Sequence, residues 1–378
     1  MLASQQPLLI VTNLYPVPWG LNRASFNKQQ FDLLAQTQPV KIIILLAWTE
    51  WFSHRKECKA SENIKYCPYF YIPKIGRRLV PFFQFLSLMF FLPWMKKQKA
   101  SALLASWGFP DAIAASMLNK FLKLPFFVKV HGTDVNENCE YEPRRAMIKK
   151  WLKYATTIFC ASNALGNKLI GAGIHPSKIC VNYNGVNPDV FYPQTSKELI
   201  DPQNKKLIFV GSLIPTKGIN ELFDAFLALS KINSNVSLDI LGSGPLQEQL
   251  QQKIQHHNLS HQVYLRGSIP LAEVARYIRE ADVLILPSYR EGVPNVVLES
   301  FASGTPVIAT KVGGIPEVVT SDTGLLIDAK NSQQLYNAII TAIETPWHQE
   351  KILQHAAKFD WQKNVATVIE KIGSTKEL

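Results

Sequence analysis

One feature constrains this chain more than any other: an end-to-end alternation of two kinds of segment. Short unbroken apolar runs, rich in Ile, Val, Leu and Phe, are each followed by a longer amphipathic run of helical period. The apolar runs of the first half fall at 8–11, 41–46, 102–105, 126–130, 157–160 and 179–181. Those of the second half fall at 207–210, 237–241, 262–265, 283–286 and 306–309. Helix-length stretches at 26–35, 144–153, 219–229, 246–256 and 272–279 lie between them. Strands without polar alternation are buried on both faces, which means a parallel sheet with helical crossovers. Twice over, this predicts an α/β chain of two Rossmann-like, doubly wound domains.

The 378 residues also exceed what one ordinary core organises. Segment 184–204 is the best boundary. It carries Asn184-Gly185, Asn187-Pro188, Tyr192-Pro193 and Asp201-Pro202, with little periodicity. The expected layout is one Rossmann-like domain over 1–190 and a second over 191–360. A C-terminal helix within 361–378 could cross back to the first domain. Ligands of such sheets sit beyond the carboxyl ends of the strands, so two lobes facing a central cleft would put chemistry in the loops there.

Composition excludes several classes. Apolar residues make up 47% and charged residues 18%, which is globular. Cys58, Cys67, Cys139, Cys160 and Cys180 are odd in number and never spaced Cys-x-x-Cys, which argues against a disulfide framework and a zinc site. The first twenty residues hold no Lys or Arg and no run of eighteen apolar residues exists, so neither a secretory signal nor a membrane span is expected. A cytoplasmic protein, free or at the inner face of a membrane, is the expectation. The charge is lopsided: residues 1–193 carry a net +13 and the remainder −2. A one-sided basic surface suits anionic partners, although ordinary solvated lysines account for it equally well. No recognition-helix or RNA-binding motif accompanies it, so nucleic acid is not expected as a partner.

The second half carries the sharpest chemical signal. After the 283–286 run come Pro287-Ser288 and then Glu291-Gly292-Val293-Pro294-Asn295-Val296-Val297-Leu298-Glu299. Asn295 reads as an N-cap of a helix reaching about Ser303, with Gly304 past its end. The amides of Val293 and of Asn295 onward would leave the helix start as an anion site, with two carboxylates beside it able to hold sugar hydroxyls. One such pair alone could merely complement the helix dipole. Three more glycine-bearing loops follow strands: Gly211-Ser212-Leu213-Ile214-Pro215-Thr216-Lys217-Gly218, Gly242-Ser243-Gly244-Pro245 and Val312-Gly313-Gly314-Ile315-Pro316-Glu317. Together they suit a diphosphate bearing a nucleoside, with Lys217 adding a point charge.

This combination resembles the family 4 retaining glycosyltransferases of the GT-B fold. The matching pieces are Asp282…Pro287-Ser288, the Glu291/Glu299 pair, Gly304-Thr305-Pro306-Val307, Gly313-Gly314-Ile315-Pro316-Glu317 and Thr323-Gly324-Leu325-Leu326. The resemblance implies that Glu299 binds the ribose and Glu291 the donor sugar. It implies that amides over Val293, Asn295 and Val296 hold the sugar and distal phosphate. It further implies that Lys217 neutralises the diphosphate and that the loop at Arg266-Gly267 lies near the base. Ser212 stands where the family often has Arg, a charge that Arg23 or another basic residue would have to replace.

The first half matches through Val130-His131-Gly132-Thr133-Asp134, which is similar to the family's His-Gly-x-Asp loop and implies that His131 lies by the donor sugar. The loop from Tyr15 to Phe26, with Gly20 and Arg23, resembles the family's acceptor-side loop, although glycine often stands where this chain has Ala24. Ser162-Asn163 and Asn184-Gly185-Val186 also fit.

No Asp-x-Asp occurs, so no metal and no cofactor are expected. Leaving-group charge would fall to helix N-termini and Lys217. The expected reaction is transfer of a sugar from a UDP or GDP donor to a glycan, lipid-linked or polysaccharide-precursor acceptor, with His131 and Glu291 as catalytic residues. Alternatives are a two-lobed nucleotide-sugar epimerase and a two-lobed solute-binding protein. Finally, 79–95 is almost wholly apolar, with Arg77 and Arg78 before it and Lys96, Lys97 and Lys99 after it. It reads either as a helix lying in an anionic membrane interface or as a buried helix of the lobe.

Overall fold

The computed structural model describes residues 6–20, 23–71, 76–194 and 204–374. Leu21 and Asn22 of the acceptor-side loop, and 195–203 of the boundary segment, lie outside the described residues. The chain divides into two compact units, Met1–Gly185 with Trp361–Leu378, and Val186–Asp360.

Unit 1 runs β1 (Leu8–Thr12), α1 (Ser25–Thr37), β2 (Val40–Ala47), α2 (Trp48–His54), β3 (Ile64–Tyr69), α3 (Val80–Met89), α4 (Leu92–Lys97), β4 (Ala102–Ser106), α5 (Ile113–Leu122), β5 (Phe126–Val130), α6 (Thr133–Asn136), α7 (Glu142–Leu152), β6 (Thr157–Cys160), α8 (Asn163–Gly171) and β7 (Ile179–Val181). Its strands form one sheet in the order β3-β2-β1-β4-β5-β6-β7, all neighbours parallel. Side chains alternate across a strand, so β1 feeds two cores. Leu9 and Val11 join one, and Leu8 and Ile10 join the other.

Unit 2 runs β8 (Lys205–Val210), α9 (Ile219–Ser230), β9 (Val236–Leu241), α10 (Gln247–His256), β10 (Val263–Gly267), α11 (Leu271–Glu280), β11 (Val283–Leu286), α12 (Asn295–Ala302), β12 (Val307–Thr310), α13 (Ile315–Val318), β13 (Gly324–Ile327), α14 (Ser332–Glu344) and α15 (Gln349–Ala356). The sheet order is β10-β9-β8-β11-β12-β13, again parallel throughout. The final helix, α16 (Trp361–Gly373), returns to unit 1. There Val365, Val368 and Ile372 complete the core that Leu8 and Ile10 share.

Two sheet edges escape the sequence pattern. β3 contains Pro68 and is only half-buried apart from Cys67, and β13 opens on Gly324. An edge strand has a neighbour on one side only, so β3 tolerates proline and lacks the continuous apolar signature, whereas β13 is apolar but only four residues long. The 79–95 stretch is not one continuous helix. It breaks at Phe90-Phe91 into α3 and α4, with Pro81 and Pro93 each in a first helical turn. Val80, Pro81, Gln84, Leu88 and Met95 are buried, whereas Leu79, Phe82, Leu86 and Phe90 face solvent.

Candidate active site

In unit 2, the loops leaving β8, β9, β11 and β12 interlock at the carboxyl edge of the sheet. Leu213 N donates to Ser243 O at 3.0 Å, Tyr289 N to Thr216 O at 2.8 Å, and Gly314 N to Gly292 O at 2.8 Å. The packing is close enough that glycine is required. A Cβ on Gly218, which has φ +68°, would lie 2.1 Å from Pro287 O. One on Gly313, at φ +55°, would lie 1.9 Å from Glu291 O. Both positions combine a left-handed backbone with no room for a side chain.

This scaffold brings Lys217 and Glu291 together across 74 residues of chain, with Nζ 2.5 Å from Oε1. Both side chains are largely buried, at 25% and 11% exposure. Ser212 lies in the same loop as Lys217, where its carbonyl accepts from Ile214 N at 2.9 Å. Val293 is buried, and Val296 is half-buried in the first turn of α12. Asn295 is that helix's first residue. The N-cap is Pro294, with no side-chain cap bond, which corrects the expected role of Asn295. Proline's fixed φ ends the incoming loop, and Pro294 offers its carbonyl, which accepts from Val297 N at 3.1 Å, in place of a side-chain cap. Glu299 sits one turn further along α12, partly buried, and burial pushes its carboxyl up to about 7. The Arg266 side chain is engaged on the sheet. Its Nε donates to Asp239 at 2.6 Å, and its guanidinium lies over Tyr264 and Tyr277. A cavity of about 210 Å³ in unit 2 is lined by Lys205, Asp282, Thr305 and Pro306, at the amino-terminal ends of the strands and so away from these loops.

In unit 1, His131 follows β5 in a turn built by Asp134, whose carboxylate accepts from the amides of Gly108, His131 and Gly132. The imidazole lies between Phe26 and Trp107. Its tautomer follows from its neighbours. Asn27 Nδ2 donates to Leu14 O at 2.9 Å, which turns Oδ1 toward Ser106. Ser106 Oγ donates to that oxygen at 3.2 Å, so it accepts from His131 Nε2–H at 3.0 Å. Nδ1 then carries a lone pair, buried and without a hydrogen-bond partner among the described residues. Burial and the nearby Lys129 ammonium hold this histidine's pKa well below its ordinary value.

Lys129 was not singled out by motif. It is buried within β5, donating to Gln30 Oε1 at 2.9 Å and lying over the rings of Phe26 and Trp361. A lysine interrupting the apolar run Phe-Phe-Val-Lys-Val was the signal for it. In the acceptor-side loop, Gly20 N donates to Val17 O at 2.8 Å. Arg23 is engaged inside unit 1: Nη1 meets Glu50 at 2.7 Å and Nη2 meets Asn13 O at 2.7 Å. Glu50 also accepts from Trp19 Nε1 at 3.1 Å. Among the described residues, no group of three or more His, Cys, Asp or Glu side chains could hold a metal ion.

Two Rossmann-like units with these loops define a glycosyltransferase of the GT-B class. Glycosyl transferases group 1 matches residues 193–370, and Glycosyltransferase Family 4 matches residues 42–190. An uncharacterized glycosyltransferase of Methanocaldococcus jannaschii is 30% identical over 278 residues, 69% of this chain and 72% of its own length. The chain therefore belongs to the family 4 glycosyltransferases. A putative teichuronic acid biosynthesis glycosyltransferase, TuaC of Bacillus subtilis, is 31% identical over 62% of this chain and 59% of its own. Two solved structures share the fold across nearly the whole chain. Sucrose-phosphate synthase from Thermosynechococcus elongatus has a TM-score of 0.75 at 19% identity, covering 99% of this chain and 100% of its own. Anabaena Alr3699/HepE, solved in complex with UDP, has a TM-score of 0.74 at 18% identity, covering 98% and 100%.

Proposed function

We propose that this glycosyltransferase is retaining and metal-independent, and that it moves a sugar from a UDP or GDP donor to a glycan, lipid-linked or polysaccharide-precursor acceptor. The observation that carries the reading is the Lys217–Glu291 pair among interlocked glycine loops, with Glu299 one helical turn beyond. The co-structures of Alr3699/HepE with UDP and UDP-glucose support a nucleotide-sugar donor. The teichuronic acid biosynthesis role of TuaC and the amylovoran biosynthesis role of AmsK of Erwinia amylovora support the acceptor class.

In this reading unit 2 holds the donor. Lys217 meets the diphosphate, the first-turn amides of α12 meet the distal phosphate and sugar, Glu291 takes sugar hydroxyls and Glu299 the ribose. Charge on the departing diphosphate is met by a preorganised lysine and by amides instead of a metal. Unit 1 contributes the acceptor-side loop and His131, whose Nδ1 lone pair can accept from a sugar hydroxyl. The anomeric carbon–phosphate oxygen bond breaks and the acceptor oxygen bonds to the same face of that carbon. The acceptor's proton passes to a leaving phosphate oxygen, giving a nucleoside diphosphate and a glycoside.

The test is acceptor-dependent release of nucleoside diphosphate from a panel of nucleotide sugars in excess chelator, with the anomeric configuration of the product read by NMR. Release only on adding manganese, or an inverted product, would remove the corresponding part of the proposal.

A further inference from the structure

The α3 helix is apolar on both sides, but among the described residues only one side is covered. Gln84 and Leu88 are buried, while Phe82, Leu86 and Phe90, spaced one turn apart, form an outer stripe with Phe90 86% exposed. The stripe does not end at the helix. Phe82 packs on Phe83, Phe83 on Phe70, and Phe70 stacks on Trp48 of α2, with ring centroids 6.1, 5.6 and 6.2 Å apart. Phe52, one turn further along α2, is 57% exposed with Arg55 over its ring. Single exposed apolar side chains are ordinary, but a continuous aromatic strip is not.

The charge around the strip selects its occupant. Between Glu62 and Asp111 the sequence has no acidic residue and seven Lys or Arg. Arg77, Arg78, Lys96, Lys97 and Lys99 flank the strip, are exposed, and make no ion pair among the described residues. A second copy of the chain would set these like charges against one another. Aromatic tips rimmed by uncompensated cations match the headgroup layer of an anionic bilayer, where each basic residue and each buried ring adds attraction.

The inner side of the same helices reaches the acceptor-side loop. Gln84 Nε2 donates to Asp111 at 2.9 Å, and Asp111 accepts from Asn13 N at 2.6 Å, where the loop leaves β1. From α2, Glu50 holds Arg23 and Trp19 of that loop. We infer that the outer face of α2 and α3 docks on an anionic phospholipid bilayer and thereby sets the acceptor-side loop at headgroup level, so that the acceptor is a lipid-linked sugar standing in that bilayer. The acceptor half of this statement rests on the proposed function; the docking half does not.

The experiment is flotation of the full chain with vesicles of phosphatidylcholine alone or mixed with phosphatidylglycerol. Binding is expected to the mixed vesicles only, and to weaken as salt rises above about 0.1 M. The triple variant Phe82→Ser, Leu86→Ser, Phe90→Ser should abolish it. Arg77→Glu with Arg78→Glu should weaken it about tenfold or more. These side chains are exposed, and an unchanged thermal melt verifies the fold of each variant. Equal flotation of wild type and triple variant, no flotation with either vesicle, or a solution dimer that the triple variant dissociates would each overturn the docking surface. Docking with transfer only to water-soluble acceptors would keep the surface and sink the lipid-linked acceptor.

Discussion

Lys217 Nζ stands 2.5 Å from Glu291 Oε1, joining the loop after β8 to the loop after β11. In the proposed reading Lys217 meets the diphosphate and Glu291 the sugar hydroxyls; in this structure each neutralises the other. Removing either takes one ion-pair contact from a largely buried charge, which is costly. Lys217→Met is expected to weaken donor binding and lower kcat/KM by about 10²-fold or more, the usual loss for a preorganised charge-stabilising donor. Glu291→Gln keeps the shape but weakens a charge-assisted acceptor. It should depress kcat more than it raises the donor KM. Steady-state kinetics on both variants checks this, and unchanged kinetics in both would remove the pair from the site.

Glu299 gives a pH signature. Its carboxyl is pushed up to about 7 by burial, from an ordinary value of 4.5. Between those values the folded chain keeps a proton that the unfolded chain has released, so its contribution to stability falls as pH rises through about 7. If Glu299 takes the ribose as proposed, the hydroxyls donate to its ionised form, so the donor should bind with proton release below that pH and more tightly above it. Calorimetry of nucleoside diphosphate binding in two buffers of different ionisation enthalpy reads the proton directly. Glu299→Gln should bind more weakly, with no proton released and no slope. An identical slope in the variant would assign the titration to another group.

The sequence made the central strands legible because burial on both faces leaves an unbroken apolar run, as in Phe126–Val130 and Val283–Leu286. It lost β3, whose edge position relaxes that demand, and β13, which is only four residues long. Loop chemistry was legible where glycine and charge coincide, as at Lys217-Gly218 and Glu291-Gly292. Contacts made by ordinary residues were not. Asn27, Ser106 and His131 meet across 25 to 79 residues of chain, and no spacing rule links them. Arg23, weighed as a substitute for the missing arginine at Ser212, is tied to Glu50 by a contact that only the fold creates.

His131 should titrate abnormally. Burial and Lys129 lower its pKa well below the ordinary 6.5, so it contributes stability above that value that is lost as pH falls beneath it. Nitrogen-edited NMR of the imidazole should show the Nε2–H tautomer at neutral pH and no protonation near pH 6.5. Lys129, itself pushed down to about 7 by burial, supplies the second cause. Lys129→Met should therefore move the His131 titration upward toward its ordinary value. A wild-type His131 that titrates near 6.5 would contradict the neighbourhood described for it.

Ala24 carries a cost that one substitution can recover. It precedes α1 in the left-handed region, at φ 48° and ψ 43°, where its Cβ crowds the backbone. A left-handed alanine is strained by about 1–2 kcal/mol, whereas glycine is free of that strain but loses more chain entropy on folding. Ala24→Gly should therefore stabilise the protein by about 0.5–1 kcal/mol, while Ala24→Val, branched at Cβ, should destabilise it by more than that. Urea unfolding of the three proteins gives the order. Because Asn27 N donates to Ala24 O at 2.9 Å and Asn27 in turn orients Ser106 and His131, relief of strain here should also sharpen the His131 imidazole signals. A glycine variant less stable than wild type would mean that the turn into α1 has another geometry.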